Sequence, residues 1–510
     1  MKRISMAGAL ALALATQVGP AHAFCGFYVS GSGERMFNDA TQVVLVRDGT
    51  RTVLSMQNDY KGPLEDFAMV VPVPVVLKEQ DVKTLPKDVF QHTDSLGSPR
   101  LVEYWEQDPC PSPDLEKEKD DAPMTEGRVM QKGGMASQPA PRDSVKIEAK
   151  FDVAEYKILI LSATDSTGLE RWLAANRYKI PPGAEPLLRP YVEGGSKFFV
   201  AKVDPKKVQV VAGRAALSPL RFHYDSDEFA LPIRLGMANS SGKQDLIINI
   251  ISANKRYEVA NYKNVFVPTN FDVKNEVKTR FAEFYAALFD KTIEANPGAV
   301  VTEYAWTAVP NYHCDPCTDA DISNPDLMTL GGDVVGGQIA QGSFVLTRLH
   351  ARYGKGDMRD DLRFREAKAV TGGRELWNGQ QGIEYGATPS DQNFFQARYT
   401  IRHRWTGPIK CTSPQRNVWG GPPSGAFPTT IAAGRTAFAP RGKLELASVI
   451  QRDLPEIGTK RATGPRPPGG GGGGGFAKPP GGARMMSFSL GALAAALVLA
   501  VVVLARRRRA

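Results

Sequence analysis

Two cysteines three positions apart, in the run Tyr312-His313-Cys314-Asp315-Pro316-Cys317, form the most chemically suggestive spacing in the chain. A C-x-x-C pair lowers the pKa of its first thiol and permits reversible exchange, so Cys314 and Cys317 together could act as a thiol oxidoreductase. Redox pairs of this kind follow a strand and open a helix, whereas Thr318 to Pro325 reads as polar loop. The carboxylates of Asp319 and Asp321 also oppose a thiolate, so a structural disulfide is the favoured expectation. Zinc requires four ligands, and His313, Cys314 and Cys317 supply three. Asp315, Asp319, Asp321 and Asp326 add oxygen donors, but their spacing is not that of an EF-hand loop. His313, Asp315, Asp319 and Asp321 therefore stand only as secondary metal candidates, and no cofactor is expected.

The remaining thiols are Cys25, Cys110 and Cys411. An odd total of five implies two bridges and one free thiol in an oxidising compartment. The expected pairs are Cys25 with Cys110, and Cys314 with either Cys317 or Cys411. Hydrolase signatures are absent: the chain contains no G-x-S-x-G, no H-E-x-x-H and no P-loop. His223, His350 and His403 fall inside strand-like runs beside Arg and Tyr, where a hydrogen-bonded or surface histidine is expected rather than a catalytic base. Glu65 and Asp66 are the best adjacent carboxylates, but neighbours on a strand point to opposite faces. No catalytic residue is assigned.

The elements that must position these residues are mostly strands. Gln42 to Val46 and Thr52 to Met56 flank Asp48-Gly49, a hairpin signal. Val70 to Val76 is apolar but interrupted by Pro72 and Pro74, which suits an edge strand or an extended buried segment. Further strands are expected at Lys157 to Leu161, Lys197 to Val203, Lys207 to Val211, Leu220 to Tyr224, Phe229 to Leu235, Leu246 to Ile251, Ser343 to Ala351 and Gln396 to His403. Helical spacing marks Thr167 to Tyr178 and Val273 to Ala295. The expected fold class is α+β and β-rich: one large extracytoplasmic body of mainly antiparallel strands with a few helices, plus a C-terminal transmembrane helix.

The two ends set the compartment. Lys2 and Arg3 precede an apolar stretch from Met6 to Val18, then Gly19-Pro20 and Ala21-His22-Ala23, which reads as a signal peptide over residues 1–23 cleaved after Ala23. Met485 to Ala505 carries no charge and at 1.5 Å per residue spans about 31 Å, as a membrane helix must. Arg506 to Arg509 place residues 506–510 in the cytoplasm and the body outside. Residues 459–484, with the unbroken run Gly469 to Gly475, read as a tether with a reach of about 25 to 30 Å. Of the formal charge of +9, Lys2, Arg3 and Arg506 to Arg509 account for six, leaving +3 on the rest. So small a surplus gives no polyphosphate-binding field, and nucleic acid is not an expected partner. Within the body, residues 111–144 are charge-rich and then Gly/Pro/Ser/Gln-rich, which reads as a solvated, disordered insertion.

Several stretches resemble a known family. Cys25-Gly26, Tyr60-Lys61-Gly62-Pro63-Leu64-Glu65-Asp66-Phe67-Ala68-Met69-Val70-Val71-Pro72-Val73-Pro74, Pro181-Pro182-Gly183-Ala184-Glu185-Pro186, Leu217-Ser218-Pro219-Leu220 and Tyr312-His313-Cys314-Asp315-Pro316-Cys317 are similar to the exported bacterial family known as domain of unknown function 2330. The resemblance runs from Cys25 to about Gly458 and implies an exported body over 24–458, without implying an activity. The order of Gly-rich spacer, apolar helix and Arg cluster resembles the C-terminal sorting tails of Gram-negative bacteria. Such tails imply signal peptidase and a sorting protease as partners, the membrane as an anchor, and transfer to the cell surface. The expected role is structural, adhesive or binding of an extracellular ligand. The rival is an extracytoplasmic enzyme, either the Cys314/Cys317 oxidoreductase or a hydrolase with an unrecognised site.

Overall fold

The computed structural model describes residues 27–30, 37–61, 67–110, 145–176, 178, 184–211, 214–239, 243–308, 322–354, 356–376, 382–423, 430–432 and 442–462. Cys25, Glu65, Asp66, the insertion 111–144, the Cys314/Cys317 segment and the C-terminal 463–510 lie outside the described residues. Among the described residues no helix is long and apolar enough to cross a membrane.

In chain order, β1 (Phe27–Ser30) is followed by the hairpin of β2 (Phe37–Asp48) and β3 (Arg51–Lys61). Asp48 pairs with Arg51, so Gly49-Thr50 forms the turn, and Gly49 adopts the φ of +54° that a side chain would resist. Next come β4 (Phe67–Val73), β5 (Val82–Thr84), α1 (Asp88–Gly97) and β6 (Arg100–Glu106). β7 (Val145–Val153), β8 (Tyr156–Ala163), α2 (Ser166–Ala175), α3 (Glu185–Glu193) and β9 (Lys197–Val203) form the middle of the chain. The remainder contributes β10 (Leu220–Asp225), β11 (Gln244–Ser252), β12 (Phe271–Asp272), α4 (Phe281–Ala295), β13 (Val300–Ala308) and β14 (Phe344–Tyr353). The last strands are β15 (Phe394–Gln396), β16 (Arg398–His403), β17 (Trp419–Gly420) and β18 (Thr430–Ala432).

The largest sheet runs β5-β10-β3-β2-β11-β14-β13-β15, continued by the short strands Val370–Gly372 and Thr388–Pro389. A five-stranded sheet runs β1-β4-β9-β8-β7, and a third runs β12-β16-β6-β17, with β18 also on β6. Pairing is mainly antiparallel, but β2 with β11 and the trio β12, β16, β6 are parallel. Strand alternation divides the side chains into layers. Val43, Leu45, Leu54, Ile248 and Leu349 pack against Val71, Ile158, Ile160, Phe199 and Ala201 of the five-stranded sheet. The outer face of that sheet buries Val70, Leu161 and Phe198 under α2 and α3 through Leu169, Leu173 and Leu188. On the far face of the large sheet, Val44, Val46 and Leu346 meet Phe90 of α1, and Val301 meets Phe284 and Leu288 of α4. The result is four layers: helices, sheet, sheet, helices. Gly331, at φ +149°, lies so close to Val53 that an added Cβ would sit 2.9 Å from a methyl group.

Three expectations change in detail. Val70 to Val76 is not a simple edge: β4 has β1 on one side only as far as Val70, and from Val71 onward only β9, so Pro72 sits on a half-paired stretch. Phe229 to Leu235 yields only the two-residue strand Ala230–Leu231, because Pro232 follows and a 3-10 helix opens at Leu235. Val273 to Ala295 divides at Arg280 into a 3-10 turn, Asn275–Thr279, and α4.

Candidate functional site

Two constellations built from carboxylate, histidine, arginine and an aromatic ring stand out. The first lies inside the molecule, where α4 and α1 cover the large sheet. β14 places Arg348, His350 and Arg352 on the covered face, two apart, and all ten of its residues are buried. Opposite them the register of β13 shifts between Thr302 and Tyr304, so Glu303 is the extra residue of a bulge. Val300 packs in the core between the sheets while Val301 and Tyr304 pack on the helical side. That change of alternation is what the bulge accomplishes.

His350 is 1% exposed and lies between two carboxylates, with Nδ1 2.7 Å from Glu303 Oε1 and Nε2 2.9 Å from Asp245 Oδ1. Both neighbours are acceptors, so both ring nitrogens carry protons and the ring is an imidazolium. Arg348 donates to Glu303 at 2.8 Å and to Asp94 of α1 at 2.6 Å. Arg352 donates to Asp245 and to Asp290 of α4, and Tyr285 donates to Glu303 at 2.7 Å. Phe289 of α4 stacks on His350 at 3.7 Å between centroids, and the Arg352 guanidinium lies over the same ring. Burial opposes every charge here. For Glu303, His350 and Arg348 outweigh it and hold the carboxyl at about 2. For His350, Glu303 and Asp245 outweigh it and raise the pKa above 6.5. Asp290 goes the other way, raised because burial exceeds the help from Arg352. Each nitrogen and oxygen of the His350–Glu303 contact is spent within the protein, so this layer fastens helices to the sheet.

The second constellation lies where the parallel strands β6 and β16 end. Glu103 of β6 accepts from His403 of β16 at 2.9 Å and pairs with Lys278 at 2.6 Å. Burial raises the Glu103 pKa, but Lys278 and His403 bring it net below its ordinary value. His403 stacks on Trp105 at 4.8 Å. Glu106 takes four donors: Arg416 Nε at 2.8 Å and Nη2 at 2.9 Å, and the backbone N–H groups of Asn417 and Trp405. The Arg416 fork, against the opposing effect of burial, holds Glu106 at about 2. On the face of β6 that carries Glu106, opposite Glu103 and Trp105, Trp419 packs with Val102 and Tyr104, and the guanidinium groups of Arg402 and Arg404 lie 4.9 and 5.3 Å from its ring. Asn417, at φ +64°, receives an Arg404 N–H on its side-chain oxygen.

A disulfide staples this end. Cys110, four residues past β6, bonds to Cys411 with 5.5 Å between Cα atoms and 301 residues between them in sequence. The expected Cys25–Cys110 pair is thereby corrected, as is Cys411 as a partner for Cys314: the loop after β16 folds back along the end of β6, with Gln415 N–H on Pro109 O and Gln107 N–H on Val418 O. Cys25, Cys314, Cys317, His313, Asp315, Asp319 and Asp321 lie outside the described residues. Among the described residues no cluster of His, Cys, Asp and Glu could hold a metal. Asp326 caps the turn at Ser323 and pairs with His92 of α1 at 3.1 Å.

The chain is thus a layered, β-rich α+β protein with one enclosed ionic layer and one half-open, disulfide-stapled end. Residues 19–365 match the bacterial family described as an uncharacterized protein conserved in bacteria, domain of unknown function 2330, and the chain belongs to that family. No curated protein and no solved structure matches it significantly. The match ends before β15 and β16, yet β15 pairs with β13 in the large sheet and the whole of β16 pairs with β6, from Arg100 to Trp105.

Proposed function

We propose that the protein is exported and works outside the cytoplasmic membrane as a binding or structural module rather than by an acid–base or thiol reaction at a described residue. The observation that carries this reading is the Cys110–Cys411 disulfide, a bond that persists in oxidising compartments and is rare in the cytosol. It agrees with the signal-peptide pattern before Phe24 and with the Gly/Pro tether, apolar segment and Arg cluster after the body. The strongest acid–base constellation, Glu303–His350–Asp245, is closed to solvent, which favours a scaffold that presents its stapled end to a ligand.

The test is topological. Mass spectrometry of the mature protein should place the N-terminus at Phe24, and external protease should digest the body in cells with a permeabilised outer membrane. Thiol reagents should leave Cys110 and Cys411 unlabelled until reductant is added. An N-terminus before Ala21, a protease-protected body, or labelling of both cysteines without reduction would overturn the reading.

A further inference from the structure

From Gln392 to Pro423 the chain carries Arg398, Arg402, Arg404, Lys410 and Arg416 and not one Asp or Glu. Their placement divides them by task. Arg398 is buried, Arg402 faces Asp272 at 3.2 Å, and Arg416 is committed to Glu106. Arg404 and Lys410 are exposed, and among the described residues neither has a carboxylate partner. Next to them in sequence lie Trp405, half-buried as a residue, and the exposed Ile409. Trp405 packs so tightly over Gly407 that an added Cβ would come within 2.6 Å of the indole. Its backbone N–H is fixed on Glu106, and its indole N–H is buried with no hydrogen-bond partner among the described residues. The loop is tied down by Cys110–Cys411 and by the four donors on Glu106, which fix its backbone at Trp405, Cys411 and Asn417 before any ligand arrives.

The geometry points to a docking surface for an acidic, carboxylated polysaccharide across Arg404, Trp405 and Lys410. A sugar ring offers a flat C–H face to an indole, while its carboxylate matches a guanidinium fork and an ammonium group. A membrane surface asks for a polybasic run or an amphipathic helix, and this loop has two exposed cations without a carboxylate partner among the described residues and one exposed aliphatic side chain. The inference rests on the proposed extracytoplasmic location, because acidic polysaccharide is a ligand of the envelope and not of the cytoplasm.

Binding of the purified full-length protein to polygalacturonate, followed by calorimetry and by retardation in gels containing the polymer, tests the surface. The doubly substituted Arg404→Gln/Lys410→Gln chain should lose on the order of tenfold or more in affinity, and about 0.5 M salt should weaken native binding similarly. Trp405→Ala should also weaken binding, and Trp405→Phe should keep most of it. Lys206→Gln/Lys207→Gln, a basic pair elsewhere, should bind as the native chain does. Melting midpoints report whether each variant is folded. Retained affinity in the folded Arg404/Lys410 variant, equal binding to neutral dextran, or capture only by phosphatidylglycerol vesicles would overturn the assignment, the last in favour of a membrane surface. Binding is measured without reference to location: intact binding by a chain that is not exported leaves the surface standing and removes the extracytoplasmic reading, and the converse removes only the surface.

Discussion

His350 and His403 have nearly the same company: a glutamate within hydrogen-bond distance, an aromatic ring stacked against the imidazole, and arginines nearby. They differ in access to water. The His350 side chain is 1% exposed and that of His403 is 31% exposed. Under α4 the charges of Glu303, Arg348 and His350 have lost their hydration and must find partners in the protein, so seven charged side chains from five elements are coupled and the helix cannot leave without stranding them. At the end of β6 water shares the work, the pairs are worth less, and the surface keeps cations to spare. Enclosure turns one set of groups into a clamp and leaves the other as a candidate for recognition.

Removing Glu303 should have the largest effect. Glu303→Ala leaves His350 and Arg348 charged without that partner, and a loss of about 3–5 kcal/mol in urea unfolding is expected. Glu103→Ala, with both partners in reach of solvent, should cost about 1 kcal/mol. Equal losses would erase the distinction between the two regions.

Next is the staple. Cys110→Ser/Cys411→Ser should lower stability by about 2–4 kcal/mol, read from the denaturant midpoint without reductant. Loss of the β6 end alone, seen as increased exposure of Trp105 and Trp405 to a fluorescence quencher before global unfolding, would sharpen the comparison. An unchanged midpoint would show that the hydrogen bonds around Glu106 suffice.

The pH dependence of stability separates the two histidines further. His350 is raised above 6.5 in the folded chain, so its contribution is full below that value and is lost as pH rises through the folded pKa. Glu303 is held at about 2 against an ordinary 4.5, so its contribution is full above 4.5 and is lost as pH falls towards 2. The clamp is therefore strongest between about 4.5 and 6.5. His350→Gln should flatten the alkaline decline in the urea midpoint, and an identical slope in native and variant would contradict the imidazolium assignment. The smallest effect is expected from His403→Gln, within about 0.5 kcal/mol by the same unfolding measurement, because its site is partly solvated.

Much of the strand placement along the chain was legible, because runs such as Lys197 to Val203 and Leu246 to Ile251 combine β-branched residues with clear boundaries. The ionic layer was not. In β14 the succession Thr347, Arg348, Leu349, His350, Ala351, Arg352 alternates as a strand with one wet face would, and nothing local distinguishes a solvated row from a buried one. The difference lies in α1, β11, β13 and α4, whose Asp94, Asp245, Glu303 and Asp290 arrive from far along the chain. The position of Glu303 depends on a bulge, which leaves no periodic signal. Hydrogen-bonded or surface histidines were expected in strands at His223, His350 and His403; all three lie in strands, His403 at the end of its own, and His350 and His403 are hydrogen-bonded to carboxylates. The Cys110–Cys411 pairing was hidden because spacing cannot choose among cysteines that the fold brings together.

Traced along its covalent bonds rather than through space, the molecule is a ring with two tails. The Cys110–Cys411 bond closes a circuit that contains β7 to β16 and helices α2 to α4, while β1 to β6 and the segment after Cys411 hang from the two sulfur atoms. A single peptide-bond cut anywhere inside the circuit opens it without separating any part, so a nicked molecule keeps its full mass until it is reduced. A cut in either tail leaves the piece beyond it without this covalent link, held only by its packing and its strand pairing. For a protein exposed to proteases, the same bond that fastens one loop thus decides which injuries are survivable.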